Sequence, residues 1–168
     1  GELVSVPQKY EKAIEASLGA AIQNVVVEDE ASAKTAISYL KKNNLGRVTF
    51  LPMNVMRSNK LKFDRTYKTD YIGICSDLIQ YSKEYTSLVE NLLGRVVLVE
   101  NIDKAVALAR EAGHRFKIVT LEGDIVNPGG ALTGGSLKVN SNILSRKRII
   151  NELDLEIKSK EKDKLNLE

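Results

Sequence analysis

The sequence predicts a mixed α/β fold with two lobes, followed by a long C-terminal helix. Three observations support this prediction: β-branched runs alternate with alanine-rich segments, the alternation occurs twice, and the last segment carries apolar residues at helical spacing among many charges. With 168 residues and 43% hydrophobic content, the chain is long enough to bury a core without disulfide bonds. These properties indicate a soluble globular domain.

The first lobe contains a helix, a strand, a second helix and a second strand. Tyr10–Gly19 has helical spacing and ends in a glycine, as helix C-termini often do. The β-branched run Val25–Asp29 predicts a strand, residues 31 to 42 predict an alanine-rich helix, and Arg47–Leu51 predicts the next strand.

The second lobe repeats this order. Tyr85–Gly94 matches the first helix at its tyrosine, glutamate, leucine and glycine positions. Val96–Asn101 predicts a strand that ends in an acidic step, residues 102 to 112 predict a helix, and Arg115–Leu121 predicts a strand. Because helices between β-branched runs cover sheet faces, the repeat predicts two related α/β units.

The remaining segments separate or follow the lobes. The sequence from about Pro52 to Tyr71 turns polar and basic, which indicates a linker or a surface excursion. From about residue 145 onward, Ile150, Leu153 and Ile157 form a narrow apolar stripe that predicts an exposed helix in need of a partner helix. A C-terminal helix folded back on the body of the domain is the alternative. The predicted boundaries are lobe one at about 1–55, a linker at about 56–70, lobe two at about 71–136, a connecting loop at 137–144 and the helical arm at 145–168.

The most unusual stretch is Leu121–Ser136, which holds five of the eleven glycines. Glycines in pairs serve tight turns or let another backbone or a ligand approach closely. Gly129 and the Gly134–Ser136 segment match the residue spacing of a P-loop motif. A glycine, however, occupies the position of the lysine that binds phosphate in that motif. A turn, a nucleotide site and a contact between backbones all remain open at this point.

The sequence contains few side chains that could form a catalytic or metal-binding site. His114 and Cys75 are the single histidine and cysteine, so clusters of these ligands are excluded. We expect His114 to mark a helix end and Cys75 to be a small buried side chain. Glu122 and Asp124 flank a glycine at a strand end, where carboxylates usually form turns. The sequence therefore predicts no enzyme activity, no cofactor and no metal, and the lone cysteine suits the cytoplasm. No segment predicts a signal peptide or a membrane span.

The net charge of +3 is small, but basic residues are concentrated in two places. Clusters of this kind attract phosphate backbones at moderate salt, although either could be a solvated surface. The linker cluster comprises Arg57, Lys60, Lys62, Arg65 and Lys68, and the arm cluster comprises Lys138, Arg146, Lys147 and Arg148.

Taken together, these segments resemble the hinge domain of the bacterial structural maintenance of chromosomes (SMC) family. Leu121–Gly130 followed by Thr133–Ser136 carries most of the resemblance, together with Tyr10–Ala16 and Leu45–Pro52. The similarity covers roughly residues 3 to 150.

The resemblance implies a module midway along a much longer chain that acts in chromosome condensation and segregation. Two coiled-coil arms would leave the module, and ATP-hydrolysing heads would lie at their far ends. Residues 145–168 would begin the outgoing arm, with an antiparallel mate preceding this fragment. The implied location is the cytoplasm, in association with the nucleoid.

The resemblance further implies a ring-shaped homodimer that contacts DNA without regard to sequence. It assigns Gly129, Gly130, Gly134 and Gly135 to the dimer interface, where strand edges meet only if no side chain stands between them. In the loop after the second glycine pair, where relatives often carry several lysines, this chain retains only Lys138. The residues expected to contact DNA are Lys138, Arg146, Lys147, Arg148, Lys60, Lys62 and Arg65.

Three further possibilities stay open. Phe63, Tyr67 and Tyr71 have the ring faces to stack on single-stranded bases, but core packing is expected for at least two of them. A small regulatory domain that binds a nucleotide-like ligand at the glycine-rich loop is an alternative to the hinge. A scaffolding fragment without affinity for DNA is another.

Overall fold

The computed structural model describes residues 3–136 and 143–167, and it confirms the mixed α/β class with a long C-terminal helix. The α-helices of the described part are α1 (Glu11–Leu18), α2 (Glu30–Lys42), α3 (Thr86–Leu93), α4 (Ile102–Ala112) and α5 (Ile143–Leu167). The strands are β1 (Val4–Ser5), β2 (Val25–Val27), β3 (Phe50–Pro52), β4 (Gly73–Ile74), β5 (Gln80–Tyr81), β6 (Val96–Val99), β7 (Lys117–Thr120), β8 (Ile125–Val126) and β9 (Leu132–Thr133).

A five-stranded sheet forms the centre of lobe two, in the order β4-β6-β7-β8-β9. Strands β6 and β7 are parallel, with Val96 opposite Lys117, and the other neighbouring pairs are antiparallel. Every residue of β6 is buried, as expected for a strand whose sheet is covered on both faces.

Helices cover both faces because successive residues of a strand point to opposite sides. Leu98 packs in one core with residues of α1 and α3, whereas Val97 and Val99 pack in a second core with residues of α4. All three side chains are fully buried. Since full burial of a valine or leucine contributes about 1.5–3 kcal/mol, these central strands hold lobe two together.

The internal repeat is present as two β-α-β units, β2-α2-β3 and β6-α4-β7, each with parallel strands. The two helices begin in the same way. The Asp29 carboxylate accepts the backbone N–H of Ser32 at 2.7 Å, and the Asn101 side-chain oxygen accepts the backbone N–H of Lys104 at 3.0 Å. Each of these N-caps stabilises its helix by about 1 kcal/mol relative to alanine.

Unlike β6-α4-β7, the unit β2-α2-β3 is not covered by helices on both faces of its sheet. Its sheet has two strands, and Ala33 is the one residue of α2 that is buried. A two-stranded sheet with one helix buries too little apolar surface to form a core of its own. Large apolar side chains of this unit are therefore left exposed, namely Val25, Ile37, Tyr39, Leu45 and Val48.

Helix α1 lies within lobe one in the sequence but packs into the core of lobe two. Ala13 and Ile14 are fully buried in the cluster that contains Leu93 and Val119. Strand β1 likewise pairs with β5. The part of the sequence assigned to lobe one therefore divides in space, and only β2, α2 and β3 form a separate layer.

The linker between β3 and β4 contains no helix or strand, in agreement with its composition. It is fixed to lobe two at Leu61, whose N–H donates to the Gly94 carbonyl at 2.8 Å. Phe63 lies edge-on to Tyr67 and Tyr71, with ring centroids 5.2 and 4.4 Å apart. All three rings pack against the second core cluster, which confirms the prediction of core packing for at least two of them.

Helix α5 begins at Ile143, close to the predicted residue 145. Its apolar stripe of Ile150, Leu153 and Ile157 is exposed, as predicted for a helix that needs a partner helix. Within the described ranges, neither α5 nor any other helix has the length and apolar character required to cross a bilayer.

The environment of Cys75 yields a testable prediction. The side chain is fully buried, as predicted, and burial raises the pKa of its thiol to about 12. At pH 8 only about one folded chain in ten thousand then carries a thiolate. We expect negligible labelling by a disulfide reagent in native buffer and complete labelling in urea, whereas rapid labelling of native protein would contradict the burial.

The same pKa gives the sign of a pH effect. The pKa of Cys75 in the folded chain lies above its value of about 8.5 in the unfolded chain, so deprotonation favours the unfolded chain. The free energy of unfolding therefore falls as the pH rises above about 8.5. Cys75→Ala should lose this part of the pH dependence in urea unfolding at pH 7.5 and 9.5. An unchanged pH dependence in the variant would contradict the assignment.

Candidate dimer and nucleic-acid interface

A tight turn between β7 and β8 leads into the glycine-rich loop. The Thr120 N–H donates to the Asp124 carbonyl at 2.9 Å, and the Gly123 N–H donates back to the Thr120 carbonyl at 2.9 Å. The Thr120 hydroxyl accepts the Asp124 N–H at 3.1 Å. Glu122 and Asp124 thus lie in a tight turn, as the sequence suggested.

Asn127 organises the loop between β8 and β9. Its backbone N–H donates to the Ala131 carbonyl at 2.8 Å, and its carbonyl accepts the Gly130 N–H at 2.9 Å. Its side-chain amide donates to the Ala131 carbonyl and to the Thr133 hydroxyl at 3.2 and 3.1 Å. This network closes the loop and aligns β9 along β8.

Each of the four predicted interface glycines is required by the loop itself. Gly129, Gly130 and Gly135 have φ angles of 87°, 106° and 117°, which L-residues rarely adopt. A Cβ on Gly134 would lie 2.6 Å from a carboxylate oxygen of Asp124. At Gly129 and Gly135 a Cβ would instead meet no atom within 4 Å, so the surface there is open to another backbone.

Strand β9 is the outer edge of the five-stranded sheet. Its partner β8 lies on one side, with Val126 opposite Leu132, and no strand of the described chain lies on the other. The Leu132 side chain is 62% exposed. An unpaired strand edge with an exposed leucine is a template for pairing with another strand.

His114 supports the loop, a role that the sequence did not predict. It follows α4 with a φ of 56°, as expected for a helix end, but its carbonyl also accepts the Gly129 N–H at 2.9 Å. Its ring lies 3.5 Å from the position of a Cβ on Gly130. The only sequence signal for this contact is that a histidine directly follows the helix-capping glycine.

The loop is poorly suited to hold an anion, which argues against the nucleotide-binding alternative. The N–H groups of Gly129 and Gly130 donate to carbonyls of the chain, and the Gly135 N–H points to the Asp124 carboxylate at 3.4 Å. Three of the amides that a phosphate would need are therefore occupied. The neighbouring carboxylate would also repel a phosphate.

The linker residues predicted to contact DNA differ in their charge environment. The Lys60 ammonium donates to the Asp77 carboxylate at 2.5 Å, and this hydrogen bond raises the pKa of Lys60. Lys62 and Arg65 are exposed, and neither forms an ion pair with a described residue. Lys62 and Arg65 therefore keep an uncompensated positive charge at the surface.

On the arm, the structure describes Arg148 in detail. Its Nε donates to the nearly buried Glu11 carboxylate of α1 at 2.8 Å, and a terminal nitrogen donates to Glu152 at 3.0 Å. Arg148 thus joins α5 to the body of the domain, and its charge is already compensated. Arg146 and Lys147 lie in the first turns of α5, while Lys138 lies outside the described residues.

The comparisons with known proteins agree on one family. A family model described as SMC proteins Flexible Hinge Domain matches residues 1–109. The chain belongs to the SMC hinge family. This SMC hinge is 47% identical over 158 residues to the Chromosome partition protein Smc of Bacillus subtilis (strain 168), covering 90% of the chain. It spans 13% of the length of that relative and 14% of the similar Clostridium kluyveri protein.

Solved SMC hinge structures have the same fold. An asymmetric dimer of the Geobacillus stearothermophilus SMC hinge domain is 39% identical, with a TM-score of 0.82, covering 96% of this hinge and 66% of that chain. The Pyrococcus furiosus Smc hinge domain with an extended coiled coil is 34% identical, with a TM-score of 0.69, covering 94% of this hinge and 59% of that chain.

The contact between Gly134 and Asp124 yields a testable prediction. Gly134→Ala should lower the free energy of unfolding by about 1–2 kcal/mol, since the new methyl group overlaps the carboxylate. Asp124→Ala in the same chain should recover most of this loss, because it removes the overlapping oxygen. Urea unfolding of the two single variants and the double variant measures the coupling.

Gly129→Ala is the matched control for this cycle. Its methyl group would enter open space, and its cost arises from a φ of 87°, which Asp124→Ala leaves unchanged. The losses in the free energy of unfolding caused by Gly129→Ala and by Asp124→Ala should therefore add in the double variant. If the losses caused by Gly134→Ala and by Asp124→Ala also add, the overlap between the new methyl group and the Asp124 carboxylate is contradicted.

Proposed function

We propose that this domain is a homodimerisation hinge that joins two coiled-coil arms and contacts DNA through basic residues of the linker and the arm. One observation carries the proposal: among the strand edges without a partner in the described chain, β9 is bordered by open glycine backbone, and the two-stranded sheet of lobe one leaves apolar side chains exposed. In the proposed dimer, β9 of one copy pairs with the lobe-one sheet of the other.

A symmetric pair of copies satisfies both edges at once. Because the two edges differ, each contact is made twice around a two-fold axis, and the result is a closed ring of two chains. Exposed apolar side chains lie on both sides of this contact, with Leu132 on β9 and Val25 on β2. Their burial would supply the apolar contact that lobe one lacks.

The glycine-rich loop suits this contact for two reasons. Gly129 and Gly135 present backbone with open space where a side chain would otherwise project. The bonds of Asn127 and His114 hold the loop in place before a partner arrives, which lowers the ordering cost of association.

The DNA contact is proposed for Lys60, Lys62 and Arg65 on the linker and for Lys138, Arg146, Lys147 and Arg148 near the arm. Lys62 and Arg65 are the strongest candidates of the linker, since their charges are uncompensated. Lys60 and Arg148 would have to exchange a carboxylate for a phosphate. Contacts of this type bind phosphates, so they are independent of sequence and weaken steeply with salt.

The wider role follows from the relatives. The name Chromosome partition protein of the Bacillus and Clostridium relatives supports a role in chromosome segregation. The extended coiled coil of the Pyrococcus hinge supports α5 as the start of an arm. ATP binding and hydrolysis are proposed for head domains at the far ends of the arms, and the hinge itself is proposed to be non-enzymatic, in the cytoplasm and associated with the nucleoid.

Leu132→Arg tests the dimer. The side chain is exposed in the single chain, so the variant should fold normally, but a buried arginine at the contact should prevent association. Light scattering should give the mass of two chains for the wild type and of one chain for the variant. A dimeric variant would contradict the proposed contact.

Leu155→Arg is the matched control, because Leu155 is 67% exposed and lies on α5 away from the loop. It should leave the dimer intact. The variant with alanine at all four interface glycines is less informative, since it also strains the loop of a single chain.

The DNA contact predicts a charge-dependent affinity. Lys62→Glu with Arg65→Glu, and separately Arg146→Glu with Lys147→Glu, should each weaken binding of a labelled duplex at low salt by about tenfold. The salt dependence of log K should become less steep by about one for each lost phosphate contact. Fluorescence anisotropy at several salt concentrations measures both quantities.

Lys41→Glu with Lys42→Glu, at the C-terminal end of α2, makes the same change in net charge outside both clusters. It should weaken binding far less than either cluster variant. Equal losses in all three variants would reduce the DNA contact to an effect of net charge, and absence of binding by the wild type would contradict the contact altogether.

A further inference from the structure

A third concentration of positive charge lies at the end of the lobe-two sheet. It borders the linker cluster and includes two arginines that the hinge assignment does not use. Arg95 directly precedes β6, and Arg115 lies two residues before β7, separated from it by Phe116. Because β6 and β7 are parallel neighbours with Val96 opposite Lys117, both arginines lie at the amino ends of adjacent strands.

A cavity of about 540 Å³ opens between this end of the sheet and the linker. Apolar side chains contribute to its lining, with Phe116 buried and Leu61 half-buried. Arg95, Arg115 and the linker residues Lys62 and Tyr67 line it as well. The volume lies within the range of small-molecule sites, about 300–1,000 Å³.

Arg115 is held in position without losing its charge. Its Nε donates to the Ala112 carbonyl at 2.7 Å, and one terminal nitrogen donates to the Tyr67 hydroxyl at 3.2 Å. Both acceptors are neutral, and Arg115 forms no ion pair with a carboxylate in the described part of the chain. The Asp64 carboxylate also lines the cavity, and its pKa is lowered mainly by hydrogen bonds from Thr66 and further by the charge of Arg115. A fixed guanidinium that forms no direct ion pair is nevertheless suited to bind an anion.

The acidic residues near the cavity leave a positive balance. Asp77 is engaged by Lys60 at 2.5 Å. The Asp64 carboxylate accepts the N–H and the hydroxyl of Thr66 at 2.8 and 2.6 Å. Arg95 and Lys62, like Arg115, have no carboxylate partner among residues 3–136 and 143–167.

We propose that this cavity binds the phosphate group of a nucleotide, with Arg95 and Arg115 as the principal contacts and Lys62 as a third. Arginine forks match the oxygens of a phosphate, and the cavity is large enough to take the attached sugar and base beside Tyr67. The nucleotide is either free or one unit of a DNA strand. In the second case the inference rests on the proposed DNA contact, and in the first it stands alone.

An NMR titration of the ¹⁵N-labelled chain tests the site with three probes: thymidine monophosphate, a thymidine trinucleotide with a 5′-phosphate, and hexaglutamate. We expect saturable shifts at the amides of Leu61, Arg95, Arg115 and Phe116 with one or both nucleotides. Tighter binding of the trinucleotide would assign the site to a DNA strand, and tighter binding of the monophosphate would assign it to a free nucleotide. Equal or tighter binding of hexaglutamate would overturn the phosphate assignment.

Arg95→Gln with Arg115→Gln should weaken nucleotide binding at least tenfold, since two charge-assisted contacts are lost. Arg110→Gln, on the exposed side of α4 outside the cavity, should leave it unchanged. Arg115→Lys keeps the charge and should recover part of the affinity that Arg115→Gln loses. This recovery would show that the loss comes from the missing charge and not from a disturbed C-terminal end of α4. Shifts scattered over surface lysines, or equal binding by the double variant, would overturn the inference.

The outcomes also separate this inference from the DNA contact. Loss of duplex affinity in the Arg146 and Lys147 variant, with nucleotide shifts at the cavity unchanged, would support both. Duplex binding without any shift at the cavity would overturn the cavity alone. Nucleotide shifts in a wild type that binds no duplex would overturn the DNA contact alone.

Discussion

The structure depends on the unequal burial of two related β-α-β units. A sheet is stable when its faces are covered and its edges are paired or protected. Lobe two meets this condition on both faces, because Leu98 packs on one side and Val97 and Val99 pack on the other. Lobe one does not, since α2 buries a single residue and its two strands have no further neighbours in the described chain. In the proposed dimer, a second copy binds at the open sheet of lobe one and at the edge of β9.

The loop before β9 places the second open edge. Its glycines have a role in the single chain, because three have φ angles closed to most residues and the fourth approaches Asp124. The family resemblance assigned the same glycines to the approach of two subunits. Both explanations describe one requirement, which is a backbone that turns sharply and stays free of side chains on its outer surface. The Geobacillus stearothermophilus hinge domain, which has the same fold, is a dimer.

Local signals in the sequence predicted the elements, whereas contacts between distant residues could not be predicted. The helix at 102–112 was predicted with correct bounds, because Asn101 caps its start and Gly113 ends it. The strand predicted at Arg47–Leu51 begins only at Phe50, since β2 offers three residues for pairing. Nothing in the repeat indicated that α1 packs in lobe two, because its apolar spacing fits either lobe. The bond of Arg148 to Glu11 joins residues far apart in sequence, so a residue predicted to contact DNA also fixes the arm to the body.

The most direct test of the central claim is the mass of a mixture of two variants. Leu132→Arg blocks the β9 edge, and Val25→Arg blocks the lobe-one sheet, so neither variant alone can form an intact contact with a second copy of itself. A mixture offers one intact contact, between β9 of the Val25→Arg chain and lobe one of the Leu132→Arg chain. Light scattering should therefore find single chains in each separate sample and dimers in the mixture. Dimers in either separate sample, or single chains throughout the mixture at concentrations where the wild type is dimeric, would contradict the account.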